Sequence, residues 1–171
     1  MKSEPAQFTL RRAEAADAAI IGCHRARMFL EMGDLPDDRF EQLREAAERW
    51  TTRALASGEY VGWLASPAAE PDNVIAGAGV HLRHVAPHPL TRASGAVEVA
   101  AESRHALVLN VFTEPEWRRQ GVARQLMEQI VGWAREERIV RLVLHASPAG
   151  RSVYEQAGFV PTNEMRYGGS L

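Results

Sequence analysis

The sequence predicts a mixed α/β domain, and three observations carry that reading. Ala106 to Thr113 is a nearly continuous apolar run, and Ile139 to Ala146 is a second one. Between them Val122, Leu126, Ile130 and Trp133, with Ala123, Met127 and Ala134 beside them, recur at helical spacing. Strand, helix, strand with both strands reading as buried on two faces is a parallel crossover unit. Tyr60 to Ala65 and Val74 to Leu82 are two further strand runs, joined by a polar Pro-containing turn over Ser66 to Asn73, so they predict an antiparallel hairpin. The sheet should therefore be largely antiparallel and turn parallel at its 106–113 and 139–146 strands.

The remaining elements follow in order. Gln7 to Arg11 alternates, with Phe8 and Leu10 on one side, and predicts a short first strand. Asp17 opens a helix that continues through Ile20, Ile21, His24, Met28 and Leu30; Gly33 and Asp34 end it, and Pro36 blocks extension. Asp37 or Asp38 should cap a second helix with Phe40, Leu43, Ala47, Trp50 and Leu55 on one stripe, stopped by Gly58. Residues 83–104 carry Pro87, Pro89 and Gly95 with no period and read as a long loop, a length that is usually functional or mobile. Ser147 followed by Pro148 is an N-cap signal with proline at the first helical position, and Gly158 closes that helix. Phe159 and Val160, then Glu164 to Tyr167, predict a last strand. No repeat or Gly/Ser-rich linker divides the chain, so residues 1–171 read as one domain.

Composition excludes several classes. With 46% hydrophobic and 25% charged residues the chain has enough apolar surface to offset the entropy of ordering. No apolar run approaches the roughly 20 residues of a membrane span, and no secretory signal pattern opens the chain, so the expected location is cytoplasmic, with no membrane partner. A net charge of −2 gives the molecule no electrostatic reason to seek nucleic acid. The lone Cys23 rules out an internal disulfide framework and a cysteine-based zinc site, and on the first helix it reads as a packed small hydrophobe.

Chemistry concentrates in residues 113–124, Thr-Glu-Pro-Glu-Trp-Arg-Arg-Gln-Gly-Val-Ala-Arg, which join a buried strand to a helix. The first amides of a helix have no internal partner, and the helix dipole makes that end partly positive. An anion such as a pyrophosphate can accept those bonds if the backbone can come close. Gly121, with no β-carbon, permits the approach, and Arg118, Arg119 and Arg124 add full charge. The Walker string Gly-x-x-x-x-Gly-Lys-Ser/Thr is absent, and the dinucleotide fingerprint Gly-x-Gly-x-x-Gly fails because Ala123 and Leu126 stand where glycines would fall. What remains is Arg-x-x-Gly-x-Ala, at Arg118, Gly121 and Ala123.

That string resembles the acyl-CoA pyrophosphate motif of the GNAT superfamily of N-acetyltransferases. Pro115-Glu116-Trp117-Arg118 before it is similar to the family's Pro-Glu-x-Arg, and Tyr154-Glu155-Gln156-Ala157-Gly158-Phe159 to its Tyr-x-x-x-Gly-Phe ending. His145 to Arg151 and Pro161 to Met165 resemble a common bacterial-type subgroup. The resemblance runs through residues 106–160 and extends more loosely to the amino-terminal half. It implies a GNAT-like mixed, mostly antiparallel central sheet with a parallel splayed strand pair, flanked by about four helices. It implies acetyl-CoA as co-substrate and direct transfer of an acetyl group to the amine of a small molecule or peptide. The pantetheine arm would pair with backbone groups of Val111, Phe112 and Thr113. The pyrophosphate would sit on the amides of Gln120, Gly121, Val122, Ala123 and Arg124, flanked by Arg118 and Arg119. Tyr154 stands at the family's position for the acid that protonates the leaving thiolate. Ser147 stands where the family often has a polar cofactor contact, commonly Asn, and equally reads as a helix cap.

Other positions are less determined. Glu98, Glu102 and Asn110 are candidates for the general base, each also readable as a solvated or strand-edge polar group. His84 and His88 stand four apart, but Pro87 and Pro89 argue against a helix there, so ligand geometry does not follow and no metal is expected; His81, His84, His88 and His105 read as loop residues. Acceptor contacts are expected from Phe29, Glu31, Met32 and Asp34 in the turn between the first two helices, from the 83–104 loop and from Asn110. Acidic Glu31 and Asp34 would favour a cationic amine. The partners expected are acetyl-CoA and an amine acceptor, with a homodimer left open. A non-catalytic acyl-CoA-binding or regulatory module on the same fold is the alternative. A phosphate-binding interaction protein sharing only the cradle leaves the Tyr154-to-Phe159 ending unexplained.

Overall fold

A computed structural model describes residues 8–91, 94–101, 103–165 and 168. Five strands form the main sheet in the order β1 (Phe8–Arg12), β2 (Tyr60–Pro67), β3 (Ala76–Val85), β6 (Ser103–Thr113) and β7 (Arg141–Leu144). The first three junctions are antiparallel, and β6 pairs with β7 in parallel. Two further strands, β4 (His88–Thr91) and β5 (Val97–Ala100), form their own antiparallel ribbon.

Helices α1 (Ala18–Met32) and α2 (Phe40–Ser57) cover one face of the sheet, and α3 (Val122–Glu136) covers the other. Alternation along the strands sorts the side chains. Trp63, Ala65, Ala76, Ala78, Val80, Ala106 and Val108 meet the α3 stripe of Val122, Leu126, Met127, Ile130, Trp133 and Ala134. Four small alanines on the sheet let α3 approach closely, and burying Leu126, Met127 and Ile130 stabilises the contact by roughly 1.5–3 kcal/mol each. Tyr60 and Leu64, on the other parity of β2, meet Ile21 and Ala54 beneath α1 and α2. Both of those helices end as the sequence predicts, on left-handed Gly33 (φ 77°) and Gly58 (φ 75°).

Several expectations need correction. Asp37 and Asp38 do not cap α2; they form a 3-10 turn, Asp37–Arg39, whose own cap is Pro36. Within the 83–104 segment, β3 runs on to Val85, β6 begins at Ser103, and the β4–β5 ribbon lies between them. Strand β7 covers only Arg141–Leu144 and is half-buried rather than enclosed on both faces. It lies at the sheet's edge, and Ile139 is drawn back onto α3, its N–H donating to Ala134 C=O (2.8 Å). The helix after Ser147 starts late: 148–150 are a turn, and α4 spans Arg151–Gln156. Residues 159–165 form no strand; Arg166 and Tyr167 of that expectation, like Gln7 of the first strand, lie outside the described residues. No helix among the described residues is long and apolar enough to cross a membrane.

Candidate functional site

The site is built on the irregular end of β6. Its register against β3 shifts between Gly77 and Gly79, so that Gly77 pairs with Phe112 but Gly79 with Leu109. The extra residue is Asn110, whose φ of 58° lies in the left-handed region that bulges use. Leu109 and Asn110 consequently both face α1 and α2, and the parity of the strand reverses: Val108 faces α3, and after the bulge Val111 does. The β7 pairing stops at Val108 with Leu144, five residues short of the end of β6. Glu114 N–H donates to Ile75 C=O (2.9 Å), so by strand alternation Phe112 directs its backbone groups at β3 while Val111 and Thr113 direct theirs to the open side. Arg118 Nε already donates to Thr113 C=O (2.9 Å). Of the three residues expected to offer backbone groups, Phe112 is thus committed to the sheet, and Val111 is the one left open on both its N–H and C=O among the described residues.

After Thr113 comes a 3-10 turn at Pro115–Trp117 and then the loop into α3. Arg119 and Gly121 both have positive φ, 62° and 90°. Such left-handed residues among right-handed neighbours turn successive N–H groups to one side as an anion-binding concavity. The first helical bond is Gln125 N–H to Gly121 C=O at 3.1 Å; among the described residues the amides of Val122, Ala123 and Arg124 ahead of it have no backbone acceptor. A β-carbon on Gly121 would meet nothing within 4 Å, so within the chain itself glycine is needed there for its φ. These features fit a diphosphate. The arginines divide: Arg119 is exposed and, among the described residues, without a carboxylate partner, whereas Arg118 turns inward to Thr113 and to the Glu31 carboxylate. Arg124 pairs with Glu128 along the helix (2.8 Å), and Gln120 folds back to Glu116 C=O (3.0 Å).

Tyr154 lies on α4 with its ring folded over Gly150, where a β-carbon would fall 2.9 Å from the ring and 3.1 Å from the hydroxyl. It packs on the α3-side core and against Phe159, and burial raises its phenol pKa above the ordinary value. Ser147 does not cap α4, whose N-cap is Gly150; its hydroxyl accepts from Gly150 N–H at 3.2 Å and closes the turn ahead of the helix.

On the opposite face α1 brings polar groups to the same bulge. Asn110 is 3% exposed; its amide nitrogen donates to the Tyr60 hydroxyl (3.3 Å), and its oxygen accepts from Arg25 Nη1 (2.7 Å). Tyr60 reaches Asn110 by crossing β3 at Gly79, where a β-carbon would stand 2.2 Å from the hydroxyl oxygen. Burial pushes the Tyr60 phenol up to about 12. His24 is 2% exposed against the Phe112 ring (4.9 Å), with Nε2 3.6 Å from Glu114 and no hydrogen bond. Burial, then the Arg27 charge, lowers its pKa to about 4, and Arg27 also binds Glu114. Phe29 lies under the Arg25 guanidinium (4.9 Å), and Met32 is exposed at the end of α1.

The structure therefore places Val111 on the unpaired end of β6 and Arg119, Gly121, Val122, Ala123 and Arg124 at the start of α3, with Phe29, Glu31 and Asn110 on the α1 side. It does not leave Glu31 as a free acid, since Arg118 neutralises it. Asn110 is a clamped amide and cannot take a proton. Glu98 sits on β5, and Glu102 lies outside the described residues. His81 packs on Trp50, His84 and His105 are on strands, and His88 meets His105 edge to face (5.2 Å). Among the described residues no group of three or more His, Cys, Asp or Glu is placed to hold a metal. Sequence reasoning missed Arg25, Tyr60, His24, Arg27 and Glu114. The one signal that pointed to them is the isolated glycines Gly62, Gly77 and Gly79 within strands, which mark close approach.

Comparison with known proteins identifies the family and the fold. The family model of the acetyltransferase (GNAT) domain matches residues 84–169. A GCN5-related N-acetyltransferase from Ralstonia eutropha JMP134 superposes with a TM-score of 0.78 at 25% identity, over 94% of this chain and 97% of that one. A predicted acetyltransferase from Clostridium acetobutylicum, solved with acetyl-CoA, gives 0.74 at 26% identity, over 94% and 95%. A glucosamine-6-phosphate N-acetyltransferase from Arabidopsis thaliana, at 12% identity, shares the fold with a TM-score of 0.61 over 94% and 97%. No curated protein sequence matches significantly.

Proposed function

Because the chain belongs to the GNAT superfamily of N-acetyltransferases, we propose that it moves the acetyl group of acetyl-CoA directly to the amine of a small molecule or peptide. The observation that carries this reading is the open edge of β6 at Val111 leading straight to the unpaired amides behind Gly121. When bound, acetyl-CoA supplies an activated thioester and, after transfer, a thiolate that needs a proton. Val111 offers a backbone N–H and C=O to an extended amide-bearing arm, as a neighbouring strand would. The amides of Val122, Ala123 and Arg124 receive the diphosphate, with Arg119 adding charge. Tyr154 holds a proton at neutral pH as any phenol does, burial raises its pKa further, and it serves as the donor to the departing thiolate. Asn110 positions the bulge and does not transfer protons.

Thiol release by the purified protein with acetyl-CoA, against pooled amines, amino acids and peptides, tests the proposal. Amine-dependent release supports it. Tight acetyl-CoA binding with no release from any amine would instead mark a binding or regulatory module.

A further inference from the structure

Three arginines gather where α1 passes the end of β6, and they differ in one respect. Arg27 is bound by Glu114, and Arg118 by Glu31. Arg25 has no carboxylate partner among the described residues. Its hydrogen bond is Nη1 to Asn110 Oδ1 at 2.7 Å, and its guanidinium stacks 4.9 Å from the Phe29 ring. A guanidinium carries five N–H donors, so most of this one's donors meet no protein acceptor among the described residues. The group is also half-buried, and burial lowers its pKa from the ordinary value. A partly desolvated cation without a counter-ion is costly to keep, and a ligand anion would complete it. Its location is informative, because the one residue it grips is the bulge residue next to Val111, on the α1 side of the sheet and away from α3.

We propose that Arg25 binds an anionic group of the acceptor, so that the amine acetylated by this protein belongs to a molecule bearing a carboxylate or phosphate. The planar guanidinium fork suits either oxyanion. Of the two acidic turn residues that would have drawn a cationic amine, Glu31 is paired with Arg118, which leaves Asp34 as the one carboxylate that would still favour a cation. The inference deepens the proposed N-acetyl transfer and rests on it.

The experiment compares matched acceptors with the purified full chain and acetyl-CoA. L-amino acids are set against their C-terminal amides, and phosphoethanolamine against ethanolamine. Thiol release is followed, and calorimetry measures binding of the acidic member to the protein–CoA complex. One charge-assisted hydrogen bond corresponds to a preference for the anionic member of about 10- to 100-fold in kcat/KM. Arg25→Gln, which keeps a donor for Asn110, should abolish the preference, and Arg25→Lys should restore part of it. The two arms tell carboxylate from phosphate. Equal or better turnover of the neutral members, or a preference that survives in Arg25→Gln, overturns the assignment while leaving N-acetyl transfer standing. If no amine in the panel releases thiol, calorimetry decides. Anion binding lost in Arg25→Gln supports the assignment even as the transfer reading fails, and no anion binding by either protein overturns it.

Discussion

Replacing Gly79 with alanine tests how the bulge is held. The new β-carbon would lie 2.2 Å from the Tyr60 hydroxyl oxygen and 2.3 Å from Cζ, a collision that rotating a methyl cannot relieve. Tyr60 is 2% exposed and has no space to retreat into without disturbing Trp50, Ile21 and Leu64. Overpacking of this kind costs about 1–3 kcal/mol. Moving the ring also breaks its hydroxyl from Asn110, leaving buried polar atoms unpaired at about 1–3 kcal/mol more. The expected loss is roughly 2–6 kcal/mol, a large part of a typical domain's stability. Urea unfolding measures it. Gly77→Ala is the control, because its β-carbon would meet chiefly the flexible Leu64 Cδ2 at 3.0 Å; its cost should be about 1 kcal/mol or less. In a Tyr60→Ala background the Gly79→Ala increment should shrink to nearly nothing. The reasoning fails if Gly79→Ala costs no more than the control, or if its increment survives the loss of the tyrosine ring.

Three further outcomes are expected. Gly121→Val forces a β-branched residue to φ 90° and so distorts the turn that presents the α3 amides, and acetyl-CoA affinity measured by calorimetry should fall at least about 10-fold, or 1.4 kcal/mol; unchanged affinity would contradict the cradle. Tyr154→Phe should lower kcat about 100-fold with acetyl-CoA affinity intact, and equal turnover would remove the phenol from the chemistry. His24 titrates at about 4 in the folded chain against an ordinary 6.5, so its neutral form contributes stability above pH 6.5 that is lost as pH falls towards 4. That amounts to about 3 kcal/mol. Urea melts at pH 7 and pH 4 should therefore show a smaller acid loss in His24→Leu, and an equal loss would show that His24 is not the titrating group.

Legibility followed the range of the interactions. Helices α1, α2 and α3 could be read because their stripes and terminal glycines are local signals, and Gly33, Gly58 and Gly121 all adopt the positive φ their positions require. Ribbon β4–β5 was hidden because Val97 and Val99 are exposed and Pro89 sits inside a strand, so neither alternation nor composition marks it. Strand β7 was overextended because Ile139 and Val140 look like sheet residues, although Arg138, at φ 54°, turns the chain and Ile139 closes the helix instead. In the site, the phosphate loop could be read because its residues are contiguous. Asn110 could be named but not understood: its partners Arg25 and Tyr60 are 85 and 50 residues away, and only the fold brings them to it.

The ion pair between Arg118 and Glu31 joins the loop that precedes α3 to the last turn of α1. Under the proposed N-acetyl transfer, those two segments would serve opposite ligands, the thioester donor and the amine acceptor. A guanidinium that also grips the Thr113 carbonyl cannot shift toward one without tugging the other. Thermodynamic reciprocity then makes any such tug mutual: whatever filling one pocket does to the grip of its neighbour, filling the neighbour does in return. A single exposed ion pair is thus the place where the loop before α3 and the end of α1 feel each other.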